Sequence, residues 1–508
     1  MKNSSKVEFG DFQTPTALAE DVCALLSAQG IVPDTVIEPT CGIGAFLVAA
    51  SVAFPNAQLK GFEINAAHLA AARVRLDSTG CRRAHLRQQD FFTHDWDAEA
   101  RSTGHVLVLG NPPWVTSAAV AAVDGTNLPA RQNVYGLRGL AAKTGKANFD
   151  IAEWMLIRLL RALRGRTATI AVLCKSATAQ KILRHAWRSD LRVASASLYR
   201  IDADEHFGAA VEACLLVARL GESGPTEAKV FPDLTAKKHT HRFGVAGKGL
   251  VANLDIYEQM RHLEGLCPYQ WRSGVKHDCA PVLELQPCED GRFTNQLGDI
   301  VTVEAEVLYP LLKGTELARR GAQAKRRLLL PQTRLGVDTA RLAVTAPLAW
   351  AYLNGHLSRF AARKSSIYAK GSTFAIFGIG DYTFSEWKVA VSALHRPAKF
   401  VVVGPWQDRP VVFDDTCYYL SFSHESEARV VAEILNSSPC QSFLEALIFP
   451  GSKRAVTVEL LQRLNLGALA HAAGLSNRWE DSRQIDRETH QLPLLMSDER
   501  EPATAGAV

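Results

Sequence analysis

No apolar run in this chain approaches the roughly 20 residues that would span a bilayer, and the polar start Met1-Lys-Asn-Ser-Ser has no signal-peptide core. The sequence therefore points to a cytoplasmic protein without a membrane anchor. Ten cysteines lie scattered with no Cys-x-x-Cys pair, which argues against a disulfide framework and against a zinc site. Cys267, His277, Cys279 and Cys288 come nearest to a cluster, but their spacing fits no zinc pattern, and no metal is expected. Charge of one sign is scarce too: 57 Lys and Arg against 52 Asp and Glu leave +5, too little to infer nucleic-acid binding from the total. No stretch shows a convincing acidic pair followed by Glu-x-Lys at strand ends, and Pro232-Asp233 with Lys237-Lys238 lacks the intervening acid of a nuclease. What remains is a 508-residue chain of ordinary globular composition, 47% hydrophobic and 21% charged, long enough for two or three domains.

Against that plain background one tetrapeptide stands out. Asn111-Pro112-Pro113-Trp114 follows the apolar run Val106-Leu107-Val108-Leu109 and a glycine. An exocyclic amino group on a base or an amide is a poor nucleophile, because its lone pair is delocalised. The Asn side-chain oxygen and the Pro112 carbonyl can both accept hydrogen bonds from such a group and turn its lone pair outward. Two consecutive prolines restrict the backbone and hold these acceptors in place in advance. Trp114 offers a ring on which a planar base can stack. A turn is the competing reading, since Asn-Pro is an ordinary turn former.

Upstream segments bear on that choice. Val36-Ile37-Glu38-Pro39-Thr40-Cys41-Gly42-Ile43-Gly44-Ala45-Phe46 reads as a strand end, a glycine turn and a helix start. It is not Gly-x-Gly-x-x-Gly, and its acid would repel a pyrophosphate, so a zwitterionic or cationic ligand fits better. Glu63 ends a second apolar stretch, where an acid can hold both hydroxyls of a ribose. Asp90-Phe91 follows a third element, Ala84 to Gln89, at another strand end, suited to an adenine amino group and its ring face. Each residue admits another reading: Glu38 and Glu63 as surface acids, the glycines as a tight turn, Asp90 as a helix cap.

Together, Glu38-Pro39-x-x-Gly42-x-Gly44, Glu63, Asp90-Phe91 and Asn111-Pro-Pro-Trp resemble the ordered motifs of the class I S-adenosylmethionine-dependent methyltransferases, and within them the DNA amino-methyltransferases. Cofactor motifs first, catalytic motif next and a long remainder last resembles the gamma arrangement of N6-adenine enzymes in restriction-modification systems. The match spans roughly residues 8 to 220. It implies S-adenosyl-L-methionine as cofactor, held by Phe12, Thr14, Pro15, Glu38, Pro39, Cys41, Gly42, Gly44, Phe46, Glu63, Asp90 and Phe91. It implies catalysis by Asn111, Pro112, Pro113 and Trp114, with Phe207 as a second aromatic against a flipped base. Phe207 also admits a core reading, and Cys41 is more a small packing residue than a nucleophile, because N-methylation forms no covalent intermediate. Ser for Asn is the commoner pattern in N4-cytosine enzymes, which favours adenine. Where family members often carry Pro after the next buried strand, this chain has Cys174-Lys175-Ser176, a departure that touches the shape of the local loop.

The fold implied is α/β: a Rossmann-like class I methyltransferase domain with a mostly parallel sheet over 1–225, then a mixed α/β target-recognition domain over 226–475 and a polar, partly disordered tail over 476–508. Alternation over Phe374–Phe384 and the run Phe400-Val401-Val402-Val403 predict short strands there, and Glu425 to Leu435 and Val458 to Leu464 read as helices. Arg319-Arg320, Lys325-Arg326-Arg327, Arg334, Arg359, Arg363, Lys364 and Lys370 crowd the second half, as expected of contacts to the phosphates of double-stranded DNA. The chain starts almost at the first cofactor motif, which leaves no room for an N-terminal cleavage domain. Any restriction endonuclease or further defence subunit is therefore expected on a separate chain.

Overall fold

The computed structural model describes residues 13–101, 104–115, 150–289, 292–319, 323–452 and 454–491. Phe12 lies outside them. The chain divides into two compact units, Met1–Asp255 and Ile256–Val508.

The first unit is built on a ten-stranded sheet. In chain order its strands are β1 (Thr35–Glu38), β2 (Gln58–Glu63), β3 (Ala84–Gln88), β4 (Val106–Gly110), β5 (Ala168–Lys175), β6 (Val193–Ile201), β7 (Ala213–Leu220), β8 (Glu227–Phe231), β9 (His241–Ala246) and β10 (Gly249–Val251). Their spatial order is β10-β9-β8-β6-β7-β5-β4-β1-β2-β3. From β3 through β5 every pairing is parallel, and β7 is inserted antiparallel between β5 and β6. Every residue of β1 and β4 is buried, as expected of central strands covered on both faces. β3 is an edge strand without a fully buried residue, which is why its polar Arg87 and Gln88 are tolerated. The doubly wound, mostly parallel architecture is the one that the resemblance implied. The sheet does not stop at residue 225: β8 to β10 extend it, so the first unit runs on to Asp255.

Helix α1 (Thr16–Ala28) packs on α2 (Ala45–Ala53) over one sheet face, where Leu18, Val22 and Leu26 meet Phe46, Leu47 and the strand residues Val36, Leu59 and Leu107. α3 (Ala66–Ser78) follows β2 and starts at an Asn65 cap, whose Oδ1 accepts the Ala67 amide at 2.9 Å. α4 (Ile151–Ala162) and α5 (Ser176–Arg188) pack together, and α4 buries Ile151, Met155 and Leu159, which recur at helical spacing. Because strand order reverses between β1 and β4, their carboxyl ends face a crevice, the usual ligand position in such sheets.

The second unit holds a four-stranded sheet and a six-stranded one. Their strands are β11 (Arg272–Ser273), β12 (Glu284–Pro287), β13 (Phe293–Thr294), β14 (Ile300–Val301), β15 (Leu308–Leu312), β16 (Arg326–Leu329), β17 (Trp387–Ser392), β18 (Phe400–Val403), β19 (Val412–Phe413) and β20 (Cys417–Phe422). The orders are β11-β20-β17-β18 and β14-β13-β12-β16-β15-β19. Helices at Glu425–Asn436 and Val458–Leu461 match expectation, but one detail differs from it. Residues 374–384 form no strand; Phe377 makes an isolated bridge to Lys276, and Asp381–Phe384 is a 3-10 turn. Their alternation instead reflects aromatic packing, with Phe374 buried against Phe360 and Trp350. The start of the expected polar tail, Ser476–Gln491, is helical and buries Trp479 and Ser482.

Candidate active site

A pocket opens at the carboxyl ends of β1, β2, β3 and β4, and its walls include Thr14, Glu38, Glu63, Asp90 and Asn111. The Gly42 amide donates to Glu63 Oε2 at 2.8 Å and the Asn65 amide to Oε1 at 2.9 Å, so both carboxylate oxygens are aimed by backbone. Each oxygen keeps acceptor capacity for a ligand hydroxyl. Gln13 covers the loop: the Ile43 amide donates to its Oε1 at 3.3 Å, and a Cβ on Gly42 would sit 2.9 Å from that oxygen. Arg75 of α3 donates to the Ile43 carbonyl at 3.3 Å and to Thr16 Oγ1 at 3.0 Å, joining the loop to the start of α1.

Glu38 differs from Glu63 in having no such support on one side. It is buried, and its Oε2 has no hydrogen-bond partner among the described residues. Burial pushes its carboxyl well above the ordinary range; the Leu47 amide opposes this, the Glu63 carboxylate adds to it and Arg75 opposes it. A cationic group brought into the pocket would supply the missing partner. Burial and the neighbouring Glu38 also push the Cys41 thiol up, which makes it a packing residue and not a nucleophile.

Asp90 accepts the Phe92 amide at 2.9 Å in a tight turn at the pocket wall; no helix starts at Phe91, so Asp90 is not a helix cap. Phe91 and Phe92 both line the pocket. Phe91 rests on Trp96 with ring centroids 4.7 Å apart, and the Trp96 indole donates to its carbonyl at 2.9 Å. At the far wall, Asn111 and Pro113 line the same cavity. Gly110 ends β4 at φ 156°, a backbone conformation that L side chains rarely adopt, beside the Glu38 side chain.

Pro39, Cys41 and Gly42 also line the pocket, whereas several expected residues do not. Phe46 is in the core beneath α1. Gly44, at φ 77°, starts α2 and is needed for packing, since a Cβ there would meet that of Ala72 at 2.9 Å. Pro15 sets the start of α1. Pro112 is buried, as is Trp114, whose indole donates to the Leu173 carbonyl at 3.3 Å and whose ring meets Phe207 edge-on at 5.1 Å. Trp114 and Phe207 thus touch each other, with no gap for a base between their rings, and Phe207 packs against the core. Gln13, Asn65, His68, Phe92 and Met155 line the pocket without having been singled out as ligand residues. Asn65, two places after Glu63 at a helix start, carried a readable cap signal; His68 and Met155 carried none.

In the second unit the arginine-rich stretch is largely occupied by internal contacts. Arg326 lies 3.6 Å from buried Glu284, which also binds Lys313 at 2.6 and 2.8 Å. Arg327 donates to the Ala324 carbonyl at 3.0 Å, and Arg334 pairs with Asp381 at 2.8 Å. Arg363 stacks on Tyr368 at 3.7 Å and donates to the Ala375 carbonyl at 2.7 Å. Arg319, Lys325, Arg359 and Lys364 are exposed, whereas Arg320 and the Lys370 side chain lie outside the described residues. Among the described residues no group of three His, Cys, Asp or Glu could hold a metal, and no helix is long and apolar enough to cross a membrane.

No protein-family model matches the chain. The type II methyltransferase M.NspV of Nostoc sp. is 38% identical over 471 residues, which cover 92% of this chain and 98% of that one. M.XamI, a type II methyltransferase of Xanthomonas campestris pv. amaranthicola, is 32% identical over 173 residues, 30% of this chain and 32% of the other. Among solved structures, the type IIL restriction-modification enzyme MmeI in complex with DNA superposes with a TM-score of 0.55 at 13% identity. That match covers 88% of this chain and 64% of MmeI, and it speaks for the fold alone. With M.NspV matched along nearly its whole length, and the motif residues Glu38, Glu63, Asp90 and Asn111 gathered at one pocket, the chain belongs to the type II methyltransferases.

Proposed function

We propose that the protein transfers a methyl group from S-adenosyl-L-methionine to the exocyclic N6 of adenine, flipped out of duplex DNA, as the modification component of a restriction-modification system. The observation that carries this reading is that Asn111 shares one pocket with Glu38, Glu63 and Asp90. An amino-group acceptor and a nucleoside-binding set thus face the same space.

The residues suit the cofactor. Buried Glu38, with an oxygen lacking a partner, calls for a positive group, which the zwitterionic and sulfonium cofactor would bring. Glu63 would take the ribose hydroxyls, Asp90 the adenine amino group, and Phe91 and Phe92 the ring; Gln13 and Thr14 would close over the methionine end. The bound cofactor supplies an electrophilic methyl group. Asn111 and the Pro112 carbonyl would accept the two hydrogens of the target amino group, which localises its lone pair for in-line attack. No base is needed beforehand, because nitrogen becomes acidic only once alkylated and its proton then passes to water. The second unit would supply target recognition, and the cognate nuclease would be another chain.

Single-molecule sequencing of genomic DNA from a methylation-free host expressing the chain tests all of this. Methylated adenine in one recurrent sequence is the expected result. N4-methylcytosine would keep the mechanism and change the base, and unmodified DNA beside intact cofactor binding would overturn the reading.

A further inference from the structure

Lys175, the last residue of β5, occupies the position where the chain departs from the resemblance. Its Nζ donates to the Trp114 carbonyl at 2.7 Å and to Asp150 Oδ2 at 2.7 Å. Asp150 is buried, and its other oxygen accepts the Ala152 amide at 3.1 Å, capping α4. The next amide, of Ile151, donates to the Val115 carbonyl at 2.9 Å. One ammonium therefore joins three things: the end of a central strand, the start of a helix that lines the pocket, and the last peptide unit of Asn-Pro-Pro-Trp.

Trp114 has further anchors in the indole bond to Leu173 and the ring contact with Phe207. Those hold its side chain, whereas Lys175 holds its main chain. The distinction matters because the acceptors that act on the amino group are the Asn111 side chain and the Pro112 carbonyl, both of which depend on the backbone path of this short loop. Preorganised acceptors act only when aimed before the substrate arrives, and sub-ångström errors in aim are costly. A side chain only 25% exposed, between a carboxylate and a carbonyl, makes a charge-assisted contact that water replaces poorly.

We infer that Lys175 is a positioning residue for methyl transfer: its ammonium, oriented by Asp150, holds the Trp114 carbonyl and thereby aims the acceptors at Asn111 and Pro112. This rests on the reading of Asn111 given above.

The test uses the full chain and the duplex identified by sequencing. Single-turnover methylation, cofactor and duplex dissociation constants and melting temperature are measured for Lys175→Met, Lys175→Arg, Asp150→Asn and Asn111→Ala. Lys175→Met should lower the single-turnover rate by about 10-fold or more with both dissociation constants changed by less than about threefold. Lys175→Arg should recover most of the rate, since a guanidinium can still donate to both oxygens. Asp150→Asn should fall between them. A wild-type rate in Lys175→Met overturns the inference, and so does a loss that Lys175→Arg shares in full and that follows weakened cofactor binding. If Lys175→Met does not fold, Asp150→Asn decides: an unchanged rate there overturns the inference, and a slowed rate with unchanged binding supports it. Asn111→Ala separates the two levels. Full activity in that variant removes the proposed chemistry, whereas its inactivity beside a normal Lys175→Met removes only the role given to Lys175.

Discussion

Asn111 and Glu38 line one pocket, and the proposed function gives them opposite tasks, one as the reaction proceeds and the other as the ligand arrives. Asn111→Ala should keep cofactor affinity and lose about 100-fold or more in the methylation rate, because its side-chain acceptor is used chiefly at the transition state. Single-turnover kinetics beside calorimetry checks this, and a near-normal rate would remove Asn111 from the chemistry. Glu38 predicts a pH effect. Its folded-state carboxyl is raised, so the stability linked to it is fully present below its unfolded value and is lost as the pH rises through the folded one. The ligand-free protein should therefore lose stability as the pH leaves the acid range, and Glu38→Gln should reduce that loss while weakening cofactor binding by roughly tenfold or more. Melting curves from pH 4 to 8 without cofactor, together with binding isotherms, test both halves. Identical pH profiles for the two proteins would show that this carboxyl does not govern the slope.

At the scale of elements, the cofactor loop depends on a glycine that never reaches the ligand. Gly44 and Gly30 both have left-handed backbones, at φ 77° and 73°, but a Cβ at Gly44 collides with Ala72 of α3, while at Gly30 nothing lies within 4 Å. Alanine at either site should cost about 1 kcal/mol for the backbone alone. Only Gly44→Ala should also displace α3 from the loop and raise the cofactor dissociation constant, since Arg75 of that helix holds the Ile43 carbonyl. Equal cofactor affinity in the two variants would show that the loop tolerates the shift. The same kind of fastening runs along β5, whose end carries both Leu173 and Lys175 against the Asn-Pro-Pro-Trp loop.

At the scale of the whole molecule, the arginines of the second unit separate into those that hold it together and those open to a polyanion. Arg326→Ala removes a cation beside Glu284, a carboxylate only 2% exposed, and should lower the melting temperature of the protein. Lys325→Glu combined with Lys364→Glu, at exposed positions, should leave the melting temperature alone. The pair should weaken duplex binding and flatten its dependence on salt, by about one unit of slope for each phosphate that is no longer neutralised. Anisotropy titrations at several salt concentrations measure this, and an unaltered slope would locate the phosphate-binding surface elsewhere.

Fold class, motif order and the pocket acids were readable in the sequence, because each depends on local chemistry: buried strands ending in an acid, glycines at a turn, two prolines behind an asparagine. The sequence alone could not reveal which of those residues face the ligand. Phe46 and Gly44 sit within the same short motif as Glu38 and Gly42, yet one belongs to the core and the other to helix packing, since the helix that starts at Ala45 turns Phe46 inward and brings Gly44 against Ala72. The reach of the sheet to β10 was hidden as well, because β8 to β10 are short strands and β8 alternates in burial, so the segment reads like part of a separate domain. Composition showed where basic residues crowd but not that Arg326 and Arg363 are held by Glu284 and Tyr368, partners 42 and 5 positions away that only the folded chain brings within reach. Lys175 belongs to the same class: its charge was visible as a departure from a pattern, but its hold on Trp114, 61 residues earlier, exists only once β4 and β5 lie side by side.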